Sequence, residues 1–199
     1  SYQVNDSTQS LPETIFTRKD LGLPEAGFVF CCFNNIFKIT PTSFDSWGRI
    51  LEQVDGSVLL IYVDNEQAKI NLTKEIALRG IDPSRLVFGK RLPKHEYLAR
   101  YRVADLFLDT HPYNAGTTAS DALQMGLPVL TYIGNSFASR MAASVINAVN
   151  LPELITSTQE EYESLAIQLA THPEQLKIIK DKLDNNLPSA PLYDTPLFT

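Results

Sequence analysis

Gly116-Thr117-Thr118 stands where an apolar run, Leu106–Asp109, has ended and helical spacing begins. A glycine lets a ligand come close to the backbone, and the first N–H groups of a helix lack intrahelical partners and carry the positive end of its dipole. That combination predicts an anion site suited to a phosphate, with the Thr117 and Thr118 hydroxyls as further donors to the same oxygens. Asp121 falls on the same helical face, three and four residues on. A carboxylate there suits a pair of sugar hydroxyls, such as a ribose, better than the phosphate itself. A second reading uses the same residues structurally, with Thr117 as an N-cap and Asp121 as an acid complementing the dipole. Spacing alone leaves both open.

Two lysines fit the first reading. Lys38 follows the end of another apolar run, Phe28–Phe33, in Asn34-Asn35-Ile36-Phe37-Lys38. A cation there can offset negative charge developing on a leaving diphosphate. Lys94, directly after Pro93 at a helix start, sits beside the positive dipole end, an unfavourable place unless an anion or a hydroxyl-rich ligand meets it. Taken by itself, Lys38 also reads as a solvated surface charge. His111, in the loop after Asp109, reads as a loop hydrogen-bonder.

The elements needed to hold these residues are legible as alternating runs. Strands are expected at Phe28–Phe33, Ser57–Val63, Arg85–Phe88, Leu106–Asp109 and Pro128–Tyr132, and helices at Thr42–Val54, Glu66–Arg79, Pro93–Arg102, Thr117–Met125, Ala138–Asn147, Gln159–Thr171 and Pro173–Asn185. Nearly continuous apolar strands separated by helices predict an α/β fold, a doubly wound parallel sheet covered on both faces. Ligands of such sheets bind beyond the carboxyl ends of the strands, where the residues above fall. Residues 1–25 read as an arm or inter-domain linker and residues 26–199 as one Rossmann-like lobe.

The 199 residues, 44% hydrophobic with a net charge of −6, can bury a proper core and argue against a surface that coats nucleic acid. No stretch approaches the roughly 20 apolar residues that cross a bilayer, which predicts no membrane partner and a cytoplasmic location. Cys31 and Cys32, adjacent in a strand, read as small buried hydrophobes without disulfide or zinc-ligand spacing, so no metal is expected.

From Leu108 to Ile155, through LDTHPYNAGTTASDALQMGLPVLTYIG and its continuation, the chain resembles the C-terminal catalytic lobe of the O-GlcNAc transferase/SPINDLY-like glycosyltransferases. The resemblance extends upstream to FCCFNNIFKITP and FGKRLPKHEYLARYRVADLFLD and downstream to PLYDTPLFT. It implies a GT-B architecture, with the donor nucleotide held mainly by this lobe, and a metal-independent, inverting transfer of a sugar to Ser or Thr hydroxyls of proteins. Matching positions imply that Lys38 and Asn35 lie at the donor phosphates, Thr117 and Thr118 at the diphosphate, Lys94 and Asp121 at the ribose, the Arg91-Leu92 backbone at the base, and Arg100 close to the nucleotide. Lys38 is the one residue given a catalytic part, and no general base is placed by this chain.

The donor implied is UDP-GlcNAc, with no cofactor. The partners implied are an N-terminal catalytic lobe, a tetratricopeptide region and protein acceptors, so that the isolated lobe is expected to bind nucleotide weakly and transfer nothing. Gly116 and Tyr97 replace histidines of the animal enzymes, and Phe37 replaces an aromatic hydroxyl. Two alternatives stand beside this reading: a GDP-fucose-dependent protein O-fucosyltransferase lobe, and a non-enzymatic interaction module on the same fold.

Overall fold

A computed structural model describes Asn5 and residues 11–198, with only the backbone given for Lys94, His95, Leu197 and Phe198. Six strands form one parallel sheet: β1 (Val29–Cys32), β2 (Val58–Tyr62), β3 (Leu86–Gly89), β4 (Leu106–Leu108), β5 (Val129–Tyr132) and β6 (Ile155–Thr156), in the order β3-β2-β1-β4-β5-β6. Register pairs Phe30 with Leu59 on one side and with Leu106 on the other. The helices are α1 (Pro41–Gln53), α2 (Glu66–Leu78), α3 (Lys94–Ala99), α4 (Thr117–Gln124), α5 (Met141–Ala148), α6 (Gln159–Thr171), α7 (Pro173–Asn186) and α8 (Thr195–Phe198). The chain leaves β1 in one direction and returns through β4 on its other side, so the strand order reverses between them and opens a crevice at their carboxyl ends.

Covering both faces explains the apolar runs. Val29, Phe30, Cys31 and Cys32 are all fully buried, and both thiols are free, with burial pushing them far above the ordinary cysteine range. On α1, Thr40 caps the N-terminus by accepting from the Ser43 N–H, Pro41 occupies the first turn, and Phe44, Trp47, Ile50 and Leu51 turn inward. Asn65 and Thr158 cap α2 and α6 in the same way.

Three expectations are corrected. A sixth strand, Ile155–Thr156, extends the expected five; two residues after a Pro-containing turn leave no periodic signal. The helix expected over 138–147 is a 3-10 turn, Ala138–Arg140, followed by α5, because the Ser136 and Ser139 hydroxyls tie that loop into a tight turn. The helix expected over 93–102 stops being α-helical at Ala99 and continues as a 3-10 turn, Arg100–Val103. The remaining boundaries lie within two residues of expectation.

Residues 1–4 and 6–10 of the arm lie outside the described residues. The part from 11 to 25 packs on the lobe: Leu23 enters the core, Phe16 and Leu21 pack against it, and Arg18 bonds Asp105 at 2.9 Å and the Gly27 carbonyl at 2.7 Å. Gly27 holds φ +99°, and a Cβ there would press into the Gly56 carbonyl oxygen. Gly27→Ala is therefore expected to cost about 3 kcal/mol, from backbone strain plus the clash, read as a lower urea midpoint with unchanged slope.

Candidate functional site

A cavity of about 440 Å³ opens at the carboxyl ends of the strands, at the β1/β4 crevice. The loop after β1 supplies Phe33, Asn34, Asn35, Phe37 and Lys38; β2 ends on Tyr62; the segment after β3 brings Arg91, Leu92, Tyr97 and Arg100; the loop after β4 and the start of α4 add Tyr113, Gly116, Thr117 and Thr118; and Met141 closes the wall. Eight of the ten residues expected at a site thus share one cavity although they come from three separate segments of sequence.

Lys38 is half-buried. Its ammonium donates to the Asn114 carbonyl at 3.0 Å and lies 4.0 Å from the centre of the Tyr113 ring. Burial draws its pKa below the ordinary lysine range, against the pull of the Asp109 charge. An ammonium has three donors, so two remain after the Asn114 bond, and an anion entering the cavity would relieve the desolvation that burial imposes.

Gly116 is the N-cap of α4 and no side chain caps this helix, so Thr117 is its first residue and not its cap. A helix N-terminus presents main-chain N–H groups together with the positive end of the helix dipole. Thr117 is exposed. The Thr118 hydroxyl differs from expectation: it donates inward to Asn34 Oδ1.

Beneath Thr118 lies a buried polar layer. Asn34 Nδ2 donates to Asp109 Oδ1 at 3.1 Å and to Thr110 Oγ1 at 2.8 Å; Asp109 Oδ1 also accepts from the Thr110 and Ala115 N–H groups, at 2.8 and 2.7 Å, and Oδ2 from the Thr131 hydroxyl at 2.7 Å. Full burial pushes the Asp109 carboxyl up to about 6, while these donors, Thr131 first among them, hold it down. The layer continues outward: Tyr162 donates to the Asp109 carbonyl, and Trp47 Nε1 to the Tyr162 hydroxyl, each at 3.1 Å.

Arg100 is 5% exposed and set among rings, its guanidinium carbon 3.8 Å from the centre of Phe33, 4.9 Å from Tyr97 and 5.3 Å from Tyr62. Such faces attract a cation without neutralising it. Its Nε has no hydrogen-bond partner among the described residues, and burial lowers its pKa. Arg91 is exposed at the cavity mouth and Leu92 half-buried.

Two expected residues stand apart. Asp121 does not line this cavity; it is half-buried further along α4, where its charge adds to the effect of burial in raising the Tyr193 phenol. Lys94 opens α3, and its side chain lies outside the described residues. His111 does not line the cavity either: its ring stacks on Tyr132 at 3.9 Å and burial lowers its pKa, in keeping with a structural part in the loop.

Asn34, Asp109, Tyr62 and Tyr113 went unflagged as site residues in the sequence. The available signal was that Asn34 and Asp109 are the first polar residues after apolar runs, at the edge of the sheet where ligands bind. Among the described residues, no group of three or more His, Cys, Asp or Glu side chains has the arrangement to hold a metal, and no helix is long and apolar enough to cross a membrane.

The parallel sheet with its crevice at the strand-order reversal is a Rossmann-like lobe, the fold it shares with solved glycosyltransferases of the GT-B class. A family model described as glycosyl transferase family 41 matches residues 4–199. The chain belongs to this family.

Among its relatives, the UDP-N-acetylglucosamine–peptide N-acetylglucosaminyltransferase of Caenorhabditis elegans is 36% identical over 188 residues, covering 94% of this chain and 16% of the worm protein. The SEC protein of Arabidopsis thaliana, named as a probable enzyme of the same activity, is 32% identical over 200 residues, covering 98% of this chain and 20% of the plant protein. Among solved structures, a substituted form of Thermobaculum terrenum O-GlcNAc transferase superposes with a TM-score of 0.82 at 31% identity, covering 86% of this chain and 34% of that one. The chain thus spans at most about a third of the length of these relatives.

Proposed function

We propose that this chain is the donor-binding lobe of a glycosyltransferase that moves GlcNAc from UDP-GlcNAc to Ser or Thr hydroxyls of proteins. The observation that carries this reading is the single cavity at the strand-order reversal, where the half-buried Lys38 ammonium meets the uncapped start of α4. Both are donors for a diphosphate, and both can hold the charge that appears on it as the glycosidic bond breaks. The base lies toward Arg91, Leu92 and Arg100, and the sugar points out of the lobe.

The transfer is inverting and needs no metal, since Lys38 and the helix start neutralise the leaving diphosphate; an acceptor hydroxyl attacks the anomeric carbon from the opposite side. The proton of the acceptor hydroxyl passes to a base that this lobe does not supply; an N-terminal lobe of the parent protein completes the site, and tetratricopeptide repeats bring the acceptor protein. Alone, the chain binds nucleotide weakly and transfers nothing, and it works in the cytoplasm.

A GDP-fucose-using lobe is the second reading: Phe37, Tyr97 and Gly116 line the cavity and depart from the animal pattern, which leaves base and sugar open while the phosphate donors are kept. Isothermal titration of the chain with UDP and GDP separates the two. Tighter binding of UDP is the expected outcome, and preferential binding of GDP would remove GlcNAc transfer as the first choice.

A further inference from the structure

The hydrogen atoms of the buried polar layer can be assigned one by one. Asn34 Nδ2 gives its two hydrogens to Asp109 Oδ1 and to Thr110 Oγ1. Thr110 Oγ1 has already given its own hydrogen to the Tyr113 carbonyl, at 2.6 Å, so toward Asn34 it can only accept. Flipping the amide would set its oxygen against a carboxylate and a committed hydroxyl, which fixes the amide orientation. Asn34 Oδ1 therefore faces Thr118 as an acceptor, and the single hydroxyl hydrogen of Thr118 is the one that meets it. Asn34 is 1% exposed, so solvent cannot substitute for either bond.

We infer that Asn34 is a positioning residue that commits the Thr118 hydroxyl hydrogen to the protein, leaving only lone pairs of that oxygen for a ligand in the cavity. Toward a bound molecule Thr118 Oγ1 then accepts from a hydroxyl or N–H and repels a phosphate oxygen. The anion is left to Lys38 and to the main-chain N–H groups of the α4 start. The cavity wall is thereby divided into a donor side and an acceptor side, a discrimination that the Gly-Thr-Thr sequence alone does not contain. Applied to a nucleotide sugar, this rests on the donor-site reading above; the hydrogen assignment does not.

The test uses two measurements on the 199-residue chain. In urea unfolding without ligand, Thr118→Val should lower stability by orphaning a buried acceptor, Thr118→Ser should restore it, and Thr118→Val in an Asn34→Ala background should cost little, because the bond is already gone. Independent, additive effects would overturn the assignment.

In titration with inorganic pyrophosphate, Thr118→Val should bind within about threefold of the parent chain, a lost ligand bond being worth more than that, and Lys38→Ala should bind much more weakly. A tenfold or greater loss in Thr118→Val would show that the hydroxyl serves the anion, and would overturn the inference. Asn34→Ala frees the hydrogen, so in that background Thr118→Val should now weaken pyrophosphate binding, a switch that a merely structural asparagine does not produce. If Asn34→Ala fails to fold, the Val and Ser variants of Thr118 decide both measurements. If the parent chain and Lys38→Ala respond to pyrophosphate alike, the donor-site reading fails while the unfolding comparison still settles the hydrogen assignment.

Discussion

Lys38→Ala should weaken UDP binding to this chain by about 10- to 100-fold, since a hydrogen bond to a charged group contributes roughly 1.5–3 kcal/mol. The loss should come with almost no loss of stability. Among the described residues Lys38 contacts no carboxylate within ion-pair distance, and burial lowers its pKa, so the folded chain holds the ammonium against a desolvation cost. Its removal subtracts one bond to the Asn114 carbonyl together with that cost. The sign follows from the shift: a depressed lysine binds its proton less well in the folded chain than in the unfolded one, so this group favours folding less at neutral pH than at pH values above its folded pKa. On the proposed reading, a bound diphosphate would supply the missing counter-charge. Titration calorimetry of parent and variant, with urea unfolding of each, checks both halves. A variant that binds UDP as the parent does would favour the interaction-module reading over the enzymatic one.

The second large effect concerns Asp109 and acidity. Its carboxyl is raised from 3.8 to about 6 by full burial. Between those values the folded chain keeps a proton that the unfolded chain has lost, so stability falls as pH rises through the window and levels off above about 6. A rise of 2.2 pH units (6 − 3.8) corresponds to about 3 kcal/mol at 1.36 kcal/mol per unit. Glu163, held below the usual carboxylate range by its bonds to Arg49, Ser46 and Gln159, acts in the opposite direction at lower pH. Asp109→Asn isolates the one contribution. The stability difference between parent and variant, from urea unfolding at several pH values from 4 to 7, should shift against the parent by about 2–3 kcal/mol as pH rises. A difference that stays constant over that range would mean that Asp109 is ionised throughout.

The contrast between what could and could not be read from the sequence follows from distance along the chain. Phe28–Phe33 and Leu106–Asp109 declare themselves as strands because a parallel sheet buries both faces, and their order fixes the edge where Lys38 and Gly116 must lie. The Asn34–Asp109 contact joins residues 75 apart, and nothing local marks it; a polar residue ending an apolar run reads simply as the end of a strand. Arg100 belongs to the same category. Its rings come from Phe33, Tyr62 and Tyr97, on three different segments, so the family resemblance brought Arg100 near the nucleotide but not the aromatic cage around it. Asp121 shows the converse: helical spacing puts it on a face with Thr117 and Thr118, whereas Thr117 and Thr118 are the residues of α4 that line the cavity.

Trp47 is the sole tryptophan of the chain, and its indole N–H reaches the Tyr162 hydroxyl, which reaches the main chain of Asp109 beneath the cavity. The lobe therefore carries its own fluorophore, wired by two hydrogen bonds to the floor of the site. Its emission can report a rearrangement of that floor without any attached dye, and with no second indole to blur the signal.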